Sequence, residues 1–177
     1  LWRAPDNLSE TPEPPTVRLQ IPRASIDPYN NAGSALAVSP DGRFLAHYVN
    51  GASGRATLAV QTLATGERRE VPGSAVQSPI APFWSPDSRR IVYVTLQAAS
   101  VFDLVTGTTR DLCTCRFRGG SWNTEGVILL GSAPAQRQPI RRVTLDEPTP
   151  VSVTTPDASS ADTWPGFLPD RQRVLLT

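Results

Sequence analysis

These 177 residues encode an all-β fold made of repeated four-stranded antiparallel units. The first sign is a turn, Ser39-Pro40-Asp41-Gly42, which Ser85-Pro86-Asp87-Ser88 repeats almost letter for letter. Looser copies follow at Trp122-Asn123-Thr124-Glu125-Gly126 and Phe167-Leu168-Pro169-Asp170. The second sign is spacing. The acidic positions 41, 87, 125 and 170 lie 46, 38 and 45 residues apart, and their mean of 43 falls in the roughly 40–45-residue period of four-stranded propeller blades. The third is alternation around each turn. Leu45, Ile91 and Val174 stand four places after the acid, and His47, Tyr93 and Leu176 stand six places after it, on one strand face because side chains alternate with period two. Large apolar groups precede the turns at Val38, Trp84, Trp122 and Phe167, and the three aromatics are assigned to the core. The chain therefore reads as a partial β-propeller of about three blades and the start of a fourth.

In chain order, residues 1–16 come first as a linker, because Pro5, Pro12, Pro14 and Pro15 among Asp6, Glu10 and Glu13 favour an extended, polar segment. The propeller region is 17–177. Val17–Ile21 alternates apolar and polar as an edge strand does, and 22–33 is an irregular lead-in. The blade units lie near 34–72, 79–113, 119–153 and 163–177, the last incomplete. In the first, an inner strand at 35–38 runs into the turn, where Pro40 pre-sets φ, Asp41 can accept backbone N–H groups and Gly42 tolerates positive φ. A third strand, Thr57–Leu63, ends at Thr65-Gly66, and Arg69–Val71 closes the unit. The second unit repeats this with Ser100–Leu104, Thr106-Gly107 and Arg110–Leu112. The third is two residues shorter at its turn, running straight from Gly126 into Val127–Leu130, and closes at Pro150–Val153. No segment carries a capped 3.6-residue apolar period, so almost no helix is expected.

Composition narrows the function classes. Hydrophobic residues make up 39%, the net charge is +1, and no basic run exceeds two residues, which gives no warrant for nucleic acid as a partner. No run of about 18 apolar residues exists that could cross a bilayer as a helix. There is no Gly-x-Ser-x-Gly elbow, no phosphate-cradling glycine loop and no His-Glu-x-x-His, so no catalytic residue and no cofactor are assigned. His47, the sole histidine, is read as a packing residue because it shares its position with Tyr93 and Leu176. Cys113-Thr114-Cys115 is read as two ordinary thiols. A structural zinc site needs four ligands, and residues two apart on an extended strand lie near the upper limit for a disulfide. No metal is expected either, since calcium takes six or more oxygens, whereas Asp41 and Asp87 are placed to stabilise their own turns. The candidates for ligand binding are the lead-in loops near Gln77–Ala81, Arg116–Gly120 and Ser159–Thr163, with Arg116 and Arg118 as possible anion contacts.

The lack of methionine, the start at Leu1 and the stop inside a strand at Leu176-Thr177 suggest a piece of a longer protein, since an open arc leaves exposed sheet edges. The segments Ala37–Ala46 and Pro82–Asp87 resemble the WD-repeat-like repeat of TolB-type propellers. Arg118–Asn123 with Gly126–Leu129, and Trp164–Asp170, are similar to the propeller appended to bacterial eukaryotic-like Ser/Thr protein kinases. That resemblance implies a six-bladed extracytoplasmic propeller, tethered by a transmembrane helix before residue 1 and following a kinase domain. It would act as a non-catalytic sensor for a protein, peptide or small ligand. Ser88 and Arg171 depart from the glycine of the repeat. Two alternatives share the same repeats: a TolB-like periplasmic scaffold, and the gating propeller of a prolyl-oligopeptidase-type serine hydrolase.

Overall fold

The structure, a computed structural model, describes residues 36–50, 54–95, 98–115, 117–132, 138–155, 164–168 and 173–175. The linker 1–16, the edge strand at 17–21, Arg116, Pro169, Asp170 and the 159–163 lead-in lie outside these residues. Among the described residues there is no helix, and all fourteen elements are strands.

Three four-stranded antiparallel sheets follow one another, each in simple up-and-down order. Blade one comprises β1 (Leu36–Val38), β2 (Phe44–Asn50), β3 (Ala56–Thr62) and β4 (Arg68–Glu70). Blade two comprises β5 (Phe83–Trp84), β6 (Arg90–Val94), β7 (Ala99–Asp103) and β8 (Thr109–Cys113). Blade three comprises β9 (Gly120–Trp122), β10 (Ile128–Leu130), β11 (Arg141–Val143) and β12 (Val151–Ser152). The hairpin β13 (Gly166–Phe167) with β14 (Val174–Leu175) begins a fourth. Within the described residues the expected strands are present, with bounds shifted by a residue or so.

Both faces of blade two are apolar, so its sheet packs on two neighbours. On β6, Ile91 and Tyr93 join Phe102 against Ala46, Tyr48, Leu58 and Val60 of blade one. Val92 and Val94 face the other way, with Val101, onto Ile128, Leu130 and Val143 of blade three. In blades two and three the residue before the turn packs on the preceding blade. Trp84 does so fully: it is buried, stacks on Phe44 at 6.1 Å, and donates its indole N–H to the Ala37 carbonyl at 2.9 Å. Val38 holds the same position in blade one and is 55% exposed, with no described blade in front of it.

The inner strands crowd together, and this explains Gly119-Gly120. A Cβ on Gly120 would lie 2.5 Å from both the Leu129 carbonyl oxygen and the Phe83 ring. On Gly119 it would run into the indole of Trp164. These glycines allow close approach of blades rather than a flexible loop.

The cysteines correct the reading of two ordinary thiols. Cys113 and Cys115 are joined by a disulfide, with Cα atoms 5.3 Å apart. That separation is within the common range, whereas an extended strand would hold the two further apart. The β7–β8 register slips between Ala99 and Ser100, leaving Leu112 as an extra residue, and a bend follows at Thr114. The chain is thereby shortened where the bridge forms.

Candidate functional site at the junction of blades two and three

The repeat turns share one hydrogen-bonding scheme, which the third turn alters. In blade one, the Ser39 hydroxyl donates to Asp41 Oδ1 at 2.6 Å and accepts from the Phe44 N–H at 2.9 Å. Asp41 Oδ1 also accepts the Arg43 N–H at 3.0 Å. Blade two repeats these bonds with Ser85, Asp87, Arg90 and Arg89 at 2.5, 2.9 and 3.1 Å. The bonds hold both acids down. The Ser39 hydroxyl is the main cause at Asp41. At Asp87 burial pushes upward, but the Ser85 hydroxyl, the Arg89 N–H and the two arginine charges outweigh it.

In blade three a single side chain does both tasks. Asn123 Oδ1 accepts the N–H groups of Glu125 at 3.1 Å and Val127 at 2.9 Å. The Glu125 carboxylate is therefore not needed in its own turn, and it makes no ion pair or side-chain hydrogen bond among the described residues.

Adjacent turns also differ in how they meet. Ser88 holds a left-handed φ of 59°, the glycine position of the repeat, and accepts the Asp41 N–H on its hydroxyl at 3.1 Å. This bond latches the turns of blades one and two. The same position in blade three is Gly126, with φ of 84° and no side chain to reach Asp87. Here the blades part, and a cleft of about 590 Å³ opens between them. Ser85, Pro86, Asp87 and Arg90 form one wall, and Trp122–Gly126 with Thr144–Asp146 form the other.

Trp122 shows the consequence. Unlike Trp84 it is only half-buried, and its N–H makes no hydrogen bond among the described residues. Its assignment to the core thus holds in part: it packs on the Val92–Ile128 cluster and also lines the cleft. Arg90 is neutralised by Asp103 at 2.9 Å, and Asp103 is held low chiefly by the Thr106 N–H, with Arg90 contributing. Glu125 and Asp146 carry no cationic partner among the described residues, whereas Asp87 lies within the charge of Arg89 and Arg90.

The other described sequence candidates lie elsewhere. Arg118 is half-buried at the opposite end of β9, where its N–H donates to the Gly131 carbonyl at 3.3 Å. In the 77–81 lead-in, Ile80 packs on the core between blades two and three. Phe167 is half-buried on β13. His47 is buried, and neither ring nitrogen has a hydrogen bond among the described residues. The cleft was missed because Thr144–Asp146 carries no motif, although the exchange of Ser88 for Gly126 at one repeat position was visible.

These blades define the fold class: successive four-stranded antiparallel blades of a β-propeller. Solved structures share the arrangement. A TolB-designated protein from Agrobacterium tumefaciens is 20% identical over 80% of this chain and 52% of its own, with a TM-score of 0.60. A chain of the nidogen/laminin complex is 12% identical over 80% of this chain and 54% of its own, with a TM-score of 0.61. The β-propeller domain of the trilobed protease from Pyrococcus furiosus, which has an open velcro topology, is 16% identical over 68% and 43%, with a TM-score of 0.50. This chain spans about half the length of the first two. No family model matches the sequence, and no curated protein does. At these identities the shared property is the fold.

Proposed function

We propose that this chain is a non-catalytic binding module that recognises a protein or peptide at the turn side of its blades. The cleft between blades two and three carries this reading. It has the volume of a small-ligand site, an indole on one wall and polar groups left over from the framework's own bonding. Its placement departs from the lead-in loops with Arg116 and Arg118, because a phosphate or other anion would meet the carboxylates of Asp87, Glu125 and Asp146.

In this proposal the module is extracytoplasmic and serves as the sensor of a bacterial Ser/Thr receptor kinase, as the repeat resemblance implies. The Cys113–Cys115 disulfide supports an oxidising compartment. The kinase would be supplied by another part of the protein, and the propeller contributes recognition alone.

The test is to incubate the protein with a pool of unstructured peptides and recover the bound fraction by mass spectrometry. Reversible retention of unmodified peptides is the expected result. Cleavage or covalent modification of the pool by the purified propeller would overturn the reading.

A further inference from the structure

We propose that the cleft between blades two and three selects a basic side chain, arginine or lysine, presented by an extended peptide segment, and that the glycine at position 126 is what keeps it open. The inference deepens the binding reading above and rests on it. Three observations converge at one place. The half-exposed Trp122 ring, with Pro86 and Leu145, gives an apolar surface for an alkyl stem. An indole face also attracts a guanidinium or ammonium group by cation–π interaction. Glu125 and Asp146 line the cleft without a cationic partner among the described residues. Asp87 beside them is committed to its own turn and to the Arg89 and Arg90 charges, and Arg90, the cation among the described lining residues, is paired with Asp103 at 2.9 Å. A positive head group therefore meets uncommitted negative charge, and an anionic one meets repulsion. The opening follows from the repeat itself, since the hydroxyl that latches blade two to blade one at Ser88 has no counterpart at Gly126.

This relation supplies the decisive variant. A side chain at position 126 has open space, with nothing within 4 Å of an added Cβ, and Ser88 shows that serine is accepted at this left-handed position. Gly126→Ser offers the Asp87 N–H the acceptor that Ser88 offers Asp41, drawing the two turns together.

The experiment measures fluorescence anisotropy of labelled hexapeptides that differ only at a central Arg, Lys, Gln or Glu, against the intact protein at low salt. Arg and Lys peptides should bind at least about tenfold more tightly than Gln, with the preference lost as salt rises. Glu125→Gln with Asp146→Asn should abolish the preference without moving the melting temperature, and Gly126→Ser should remove binding of every peptide. If Gly126→Ser removes binding but Arg, Lys, Gln and Glu peptides bind alike, the basic-side-chain proposal fails while the binding module stands. If no peptide binds the wild-type protein, both fail. If Gly126→Ser does not fold, the Glu125/Asp146 pair still decides the charge preference.

Discussion

Two buried polar residues show how single side chains shape this molecule. Ser88 accepts a left-handed backbone, which costs a non-glycine residue on the order of 1 kcal/mol, and in return receives the Asp41 N–H across the blade junction. Ser88→Ala keeps the strain and deletes the acceptor, so about 1–2 kcal/mol should be lost in urea denaturation. Ser88→Gly removes both, and should lie within about 0.5 kcal/mol of wild type. His47 is a different case. Burial holds its pKa below the ordinary 6.5, with the Arg68 charge acting in the same direction. The neutral ring's contribution is fully present above 6.5 and declines as pH falls from there toward the folded-state value. Melting temperature should therefore drop between pH 7.5 and 5.5, and His47→Leu should flatten that slope. Below about pH 4 a further loss is expected as the lowered carboxylates Asp41, Asp87 and Asp103 protonate.

The elements were legible to different degrees. β2, β3, β6 and β7 are largely apolar runs bounded by turn chemistry, so their positions followed from local sequence. β9 illustrates the opposite. Gly119-Gly120 reads locally as a loose basic loop, yet Gly120 sits at the Leu129 carbonyl and the Phe83 ring because inner strands converge there. Gly120→Ala must push backbone or ring aside, and a loss of about 1–3 kcal/mol in thermal or chemical denaturation is expected. The disulfide was likewise hidden. Its geometry depends on a bulge and a bend at the end of β8, which no spacing rule for extended strands anticipates.

At the scale of the whole molecule, stability lies in the junctions between blades. Trp84 fills the first junction with its ring and bonds the Ala37 carbonyl, so Trp84→Ala should cost about 3–5 kcal/mol in equilibrium unfolding of the intact protein. The sequence by itself determined the repeat: strand alternation, turn composition and a 43-residue spacing all act between neighbours in the chain, and they specify four-stranded blades in succession. Tertiary structure alone decided that the first junction is latched and the second open. That outcome depends on Asp41 meeting Ser88, and on Asp87, Gly126 and Asp146 meeting across two sheets. Such distant residues are brought together only by the angle at which one blade packs on the next.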